Sequence, residues 1–93
     1  MEETIVLEKP EVIGTDTTGG ARVILFNDEY HTFDEVINQL IKAIKCSHEQ
    51  AQKFAYIVHT EGKCEVYHGP AEECLHVSAV LEEIELKTTV DFL

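Results

Sequence analysis

Apolar residues recur along the chain at two spacings, one typical of strands and one typical of helices. The run VILF at 23–26 is bounded by polar residues, and this pattern predicts a strand that is covered on both faces. The segment 63–68, KCEVYH, predicts a second strand, which a Gly-Pro pair ends. The segment LKTTV at 86–90 is rich in β-branched residues and predicts the last strand.

The segments between these strands have the periodicity of amphipathic helices. The first helix is expected over about 33–45, because Thr32 stands three residues before an acidic side chain, as in a capping box. Ser47 repeats this signal for a second helix, which should end before Gly62, a candidate for a left-handed cap. A third helix is expected over about 71–83, and it contains several acidic residues but neither Lys nor Arg.

The resulting order of strand, helix, helix, strand, helix and strand (βααβαβ) indicates the α+β class. We expect one domain over residues 21–93, in which a three-stranded antiparallel sheet packs against three helices that cover one of its sides. Residues 1–20 differ from the rest, since they contain Pro10, Gly14 and the polar run TDTTGG. They are predicted to form a flexible N-terminal arm.

Composition narrows the functional classes. The chain has 93 residues, of which 44% are hydrophobic and 27% charged, as expected for one globular domain. Its net charge of −11 and its seven scattered basic residues disfavour nucleic acid and favour a cationic partner. No apolar run approaches the roughly 18 residues of a membrane span, so no membrane association is expected. The acidic start resembles neither a secretory signal nor a transit peptide, which favours a cytoplasmic location.

Cysteine and histidine supply ligand types and nucleophiles, but their spacing indicates neither a metal site nor catalysis. The three cysteines form no CxxC pair and are expected to be reduced. Cys74 and His76 are close in sequence, yet residues two apart on a helix point in different directions, and no closed zinc pattern is present. No nucleophile motif and no glycine-rich phosphate loop is present either. We therefore expect no metal, no cofactor and no enzymatic activity.

The loop after the first predicted strand is the main candidate for binding chemistry. Asn27, Asp28 and Glu29 follow the apolar run directly and precede the first helix. One interpretation is an Asx turn that leads into the helix, for which a single Asn or Asp is enough. The alternative is a binding loop, because three acceptors followed by Tyr30 and His31 supply more polar groups than a turn uses.

His59 is the second candidate, since it lies at the end of the second predicted helix, at the edge of an apolar stripe. One interpretation is a structural residue or a charge partner of the helix C-terminus. The other is part of a binding site, because an apolar surface bordered by Asn, Asp and a neutral histidine suits an ammonium group next to an apolar side chain.

Two sequence motifs occur in register. The first motif is the apolar strand followed by Asn-Asp-acid-Tyr at 27–30, and the second is Val-His-x-x-Gly-Lys at 58–63. Together they resemble the ClpS family, the adaptor of the Clp ATP-dependent protease that recognises N-degrons. The whole stretch 23–63 is similar to the family pattern without a gap. The resemblance implies the same order of elements, preceded by a flexible arm.

The resemblance also implies a function. It implies an adaptor that binds proteins whose first residue is Leu, Phe, Tyr or Trp and passes them to the N-terminal domain of a AAA+ Clp unfoldase. In the family, side chains that match Asn27 and His59 hold the α-amino group, and the match to Asp28 adds negative charge nearby. A monomer is expected. The predicted hydrophobic pocket consists of Glu29, His31, Phe33, Val36, Ala55, Val58 and Leu86.

The chain departs from the family pattern at several positions. Phe33 stands where Met is usual, Ala55 where Met or Leu is common, and His31 where a Thr often lies. The helix predicted at 71–83 lacks the basic residue that the family commonly uses to contact the unfoldase. The pattern of strands and helices also resembles the C-terminal domain of the ribosomal stalk protein, a docking domain without an N-degron pocket. That alternative would need neither of the predicted amine-binding side chains.

Overall fold

The computed structural model describes residues 20–93, so the predicted arm lies outside it apart from Gly20. Within these residues the chain forms three strands and three helices in the predicted order. The elements are β1 (Ala21–Phe26), α1 (Phe33–Ile44), α2 (His48–Glu61), β2 (Lys63–Gly69), α3 (Ala71–Glu82) and β3 (Thr88–Phe92). The predicted α+β class with a three-stranded antiparallel sheet is confirmed for this part of the chain.

β1 is the central strand among those described, in the order β2-β1-β3, and both neighbours run antiparallel to it. The last strand begins at Thr88 and not at Leu86 as predicted. The reason is that the chain is still turning at Glu85, whose φ of 68° lies in the left-handed region. Leu86 follows this turn with its side chain in the core, 3% exposed.

The helices cover one face of the sheet and leave the other open. In β1, Ala21, Val23 and Leu25 are fully buried, whereas Ile24 and Phe26 are only half-buried. The prediction that this strand is covered on both faces is therefore wrong. An apolar run by itself does not show whether one sheet face is covered by helices or by long charged side chains.

Charged side chains shield the apolar residues of the open face. Arg22 of β1 forms ion pairs of 3.5 Å with Glu65 on β2 and with Asp91 on β3. The Lys87 ammonium lies 5.8 Å from the centre of the Phe26 ring, which is a cation–π contact. These contacts occupy the face of the sheet that the helices leave open.

The predicted helix caps are confirmed. The Thr32 hydroxyl accepts a hydrogen bond from the Glu35 amide at 3.2 Å, and the Glu35 carboxylate accepts one from the Thr32 amide at 2.8 Å. Ser47 caps α2 with its hydroxyl, and α2 ends at Gly62, whose φ is 93°. The Gly62 carbonyl also accepts a hydrogen bond from the Asn27 amide at 2.9 Å, so the end of α2 is fixed beside the end of β1.

The hydrophobic core lies between the covered face of the sheet and the helices. Its largest fully buried side chains include Leu25 of β1, Leu40 of α1 and Leu81 of α3. At the surface, the Lys42 ammonium of α1 lies 2.7 Å from the Glu83 carboxylate at the end of α3. Core and surface contacts together place the turn after α3 against α1.

Candidate functional site

A pocket lies where β1, α1, α2 and the turn after α3 meet. Its volume is about 210 Å³, counted with the solvent at its mouth. The residues that line it are Leu25, Phe26, Asn27, Asp28, His31, Val36, Val58 and Leu86. The last six of these are among the site residues predicted from the sequence. The fold thus brings the polar loop after β1 together with apolar side chains from both ends of the described chain.

The inner wall of the pocket is apolar. Val58 and Leu86 are 4% and 3% exposed and belong to the hydrophobic core, against which Val36 also packs. Leu25 and Phe26 complete the wall, and the sequence interpretation missed them because it assigned them only to the strand. Their position immediately before the polar loop was the available signal, since a binding loop is positioned by the strand that leads into it.

Asp28 organises the loop between β1 and α1. Its Oδ1 atom accepts hydrogen bonds from the amides of Tyr30 at 2.8 Å and His31 at 2.9 Å. Its Oδ2 atom lies 2.7 Å from Nδ1 of the His31 ring. The Asx-turn interpretation of this loop is therefore confirmed for Asp28. The carboxylate has its partners within the protein.

The His31 ring also contacts a second segment, since its Nε2 atom lies 2.5 Å from the Ile84 carbonyl oxygen in the turn after α3. The hydrogen bond to Ile84 and the one to Asp28 raise the pKa of His31. Burial acts to raise the pKa of Asp28, but the amides of His31 and Tyr30 and the His31 ring outweigh it and lower that pKa. The two side chains form an ion pair at pH values between these two pKa values.

Asn27 contributes an exposed side chain to the pocket wall. Its backbone is fixed by the hydrogen bond from its amide to the Gly62 carbonyl. Its carboxamide forms no hydrogen bond with another of the residues 20–93, unlike the Asp28 carboxylate next to it. The carboxamide is therefore available to a ligand in the pocket.

Four predicted site residues lie outside the wall of the pocket. Ala55 is buried in the core one turn before Val58, and Glu29 is exposed on the loop. Phe33 and His59 form an edge-to-face aromatic pair with ring centres 5.4 Å apart. Along the chain, Phe33 lies two residues after the wall residue His31, and His59 directly follows the wall residue Val58.

Three further features of the described residues bear on their chemistry. Nowhere in 20–93 are three side chains of His, Cys, Asp or Glu grouped so that they could hold a metal ion. Cys46, Cys64 and Cys74 are free thiols, and burial raises the pKa of each, which weakens them as nucleophiles. In the same part of the chain, every helix is too short or too polar to cross a bilayer.

Known proteins share both the fold and the sequence pattern of this domain. The fold is similar to that of Agrobacterium tumefaciens ClpS2 in a structure with bound L-phenylalaninamide. The TM-score is 0.73 at 16% identity, and the alignment covers 78% of this chain and 95% of that one. At this level of identity the similarity concerns the fold alone.

Similar stretches of sequence occur in E3 ubiquitin-protein ligases. Human UBR2 is 38% identical over 58 residues, which are 62% of this chain. Caenorhabditis elegans ubr-1 is 35% identical over 83 residues, which are 89% of this chain. The chain spans only 3% and 4% of the lengths of these two ligases, so the similarity is confined to a small part of each.

The family is identified by a match that covers most of the chain. Residues 18–89 match the model of the family described as "ATP-dependent Clp protease adaptor protein ClpS". This range includes all of the pocket wall and both motifs quoted from the sequence. The chain therefore belongs to the ClpS family of Clp protease adaptor proteins.

Proposed function

We propose that this protein is an N-degron adaptor. It binds the free N-terminus of proteins whose first residue is Leu, Phe, Tyr or Trp, and it delivers them to a AAA+ Clp unfoldase. Membership of an adaptor family supports a binding role that is not catalytic. The observation that carries the proposal is the exposed carboxamide of Asn27 on the wall of a pocket whose other lining residues are mostly apolar.

The polar edge of the pocket suits an ammonium group. The Asn27 carboxamide oxygen is an acceptor, and the His59 imidazole, which follows the wall residue Val58, supplies a second acceptor in its neutral form. Hydrogen bonds from an ammonium group are charge-assisted and stronger than neutral ones. An acetylated or internal residue has no such group, so this arrangement selects a free N-terminus.

Asp28 acts on the ligand indirectly in this proposal. Its carboxylate is already bound to two amides and to the His31 ring. The paired imidazolium offsets much of its negative charge, and the remaining field acts on the amine across the loop. The main contribution of Asp28 is therefore to hold the loop so that Asn27 faces the pocket.

The apolar wall receives the side chain of the first residue. Val36 of α1, Val58 of α2 and Leu86, which precedes β3, line the pocket together with Asn27. An apolar pocket with a few polar groups at its edge is the usual form of a small-ligand site. L-phenylalaninamide, the ligand in the ClpS2 structure, has a free α-amine next to an aromatic side chain and thus the chemistry proposed here.

Delivery requires a second surface that contacts the unfoldase. The chain carries a net charge of −11, and α3 contains neither Lys nor Arg. We propose that the N-terminal domain of the partner presents a basic face to this protein, since complementary charge accelerates and orients association. A docking domain of the ribosomal-stalk type would need no pocket, and the family match does not favour it.

Fluorescence anisotropy with labelled peptides tests the proposed function. Peptides that begin with Leu, Phe, Tyr or Trp are titrated beside their N-acetylated twins at one ionic strength. We expect acetylation to weaken binding at least about tenfold, because it removes charge-assisted hydrogen bonds to the amine. Equal affinities for the two members of each pair would contradict the proposal.

A further inference from the structure

His31 joins two sides of the pocket that are far apart in sequence. Its Nδ1 atom lies 2.7 Å from the Asp28 carboxylate before α1, and its Nε2 atom lies 2.5 Å from the Ile84 carbonyl after α3. The side chains of His31 and Asp28 are only 14% and 19% exposed. Water therefore has little access to replace these contacts, and one ring holds the two segments together.

Both partners of the ring are hydrogen-bond acceptors. A carboxylate and a carbonyl oxygen cannot donate, so each ring nitrogen needs a proton for both contacts to form, and only the imidazolium has both protons. A neutral ring keeps one proton, and a lone pair on the other nitrogen then faces an oxygen atom. Deprotonation of His31 therefore breaks one of the two contacts.

The turn held by the ring forms part of the pocket wall. Glu85, which follows Ile84, has a φ of 68°, a conformation that costs energy for any residue except glycine. The next residue, Leu86, lines the pocket. On the other side of the ring, Asp28 directly follows Asn27, which also lines the pocket. The position of the ring thus sets the spacing of these two parts of the wall.

We propose that His31 is a positioning residue whose protonated ring bridges Asp28 and Ile84. The bridge holds the part of the pocket wall that contains Leu86 against the loop that contains Asn27. Loss of a ring proton releases one side of the bridge and weakens ligand binding. The effect on binding rests on the proposed function, whereas the bridge itself is a property of the ligand-free protein.

The groups around the ring favour the bridged state. The hydrogen bond to the Ile84 carbonyl, the Asp28 carboxylate and, at longer range, Glu35 of α1 raise the pKa of His31, and burial opposes them. The contribution of the bridge to stability is fully present below the unfolded-state pKa of about 6.5 and is lost as pH rises through the higher folded-state pKa. Protonation of Asp28 breaks the contact between its carboxylate and the His31 ring only at acid pH, because the pKa of Asp28 is lowered.

Nuclear magnetic resonance of the ligand-free protein tests the bridge directly. Spectra are recorded over about pH 5 to 8. The ¹⁵N shifts of the His31 ring report the protonation of each nitrogen, and the methyl shifts of Leu86 report the environment of this side chain in the pocket wall. We expect both ring nitrogens to be protonated at the acid end and the Leu86 methyl groups to titrate with the His31 midpoint. Leu86 methyl groups that do not follow His31, or a ring that is neutral throughout, would overturn the proposal.

Binding of a Phe-initiated peptide to wild type and to His31→Gln gives a second test. Any other effect of pH on binding is common to both proteins, so the ratio of the two dissociation constants isolates His31. We expect His31→Gln to bind roughly two- to tenfold more weakly at the acid end, the effect of one net hydrogen bond, and the ratio to approach one as pH rises.

The control is His48→Gln, because His48 is exposed at the start of α2 and does not line the pocket. This variant should keep wild-type affinity at every pH. A His31→Gln ratio that does not change with pH would overturn the role of His31 in binding. If no protein binds the peptide, the proposed function fails, while the resonance experiment on wild type still decides whether the bridge exists.

Discussion

Replacement of Asn27 tests the amine-binding site with little risk to the fold. The Asn27 side chain is exposed, and its backbone hydrogen bond to Gly62 at 2.9 Å does not depend on the side chain. We therefore expect Asn27→Ala to change the free energy of unfolding by less than about 0.5 kcal/mol, as for other exposed substitutions. Urea denaturation of the ligand-free variant measures this quantity.

The expected loss of affinity follows from the hydrogen bond that Asn27→Ala removes. A hydrogen bond to a charged group contributes about 1.5–3 kcal/mol, because the ammonium loses water when it enters the pocket and needs a replacement acceptor. The dissociation constant of a Phe-initiated peptide should therefore rise roughly 10- to 150-fold. Isothermal titration calorimetry on folded wild type and folded variant measures the change.

Asn27→Asp is the matched control for this experiment. It keeps an acceptor of the same shape at the same position, and the neighbouring charge of Asp28 is already paired with His31. We expect Asn27→Asp to bind more tightly than Asn27→Ala. Wild-type affinity in Asn27→Ala, or equal weakness of the two variants, would show that the carboxamide oxygen does not hold the amine.

Three further predictions concern the second proposed amine contact, the core and the helix ends. His59→Ala should weaken peptide binding by about 1–3 kcal/mol in the same calorimetric assay, and an unchanged affinity would remove His59 from the site. Leu81→Ala should lower the free energy of unfolding by about 2–5 kcal/mol in urea, because the side chain is fully buried. Gly62→Ala should lower the free energy of unfolding in urea by about 1–2 kcal/mol, because Gly62 has a φ of 93°. Lys45→Gly should raise the same quantity by up to about 1 kcal/mol, because Lys45 has a φ of 58°. A Lys45→Gly variant that is less stable than wild type would contradict the assignment of strain to Lys45.

The helix boundaries could be predicted because their signals are local. Thr32 and Glu35 are three residues apart, and the hydrogen bonds between them form whenever the first turn of α1 forms. Ser47 acts in the same manner at the start of α2. Gly62 gives a similar signal at the other end of this helix, because glycine adopts a positive φ without steric cost whatever its neighbours are.

The position of Leu86 shows where local reasoning fails. The β-branched residues after it predicted a strand that begins at Leu86, but Glu85 adopts a left-handed conformation that no sequence signal indicated. The strand starts only at Thr88, and Leu86 packs into the core beside the pocket. Its assignment to the pocket came from the family resemblance, since periodicity alone would have placed it in the sheet.

The candidate site was predictable in part for a similar reason. Asn27 and Asp28 could be singled out because they follow the apolar run directly, and the Asx turn of Asp28 is again local. The bridge from Asp28 through His31 to Ile84 could not be predicted, because it joins residues 31 and 84 only after α3 has packed against α1. The sequence therefore indicated the polar groups of the site but not the partners that each of them has in the fold.

A crystal structure with a bound Phe-initiated peptide tests the central claim most directly, through the distances from the α-amino nitrogen to its neighbours. The account predicts this nitrogen within about 2.7–3.2 Å of the Asn27 carboxamide oxygen, with His59 as a second contact. It also predicts the Phe side chain between Val58 and Leu86. An α-amino group that contacts neither Asn27 nor His59, or a first side chain outside the pocket, would contradict the account.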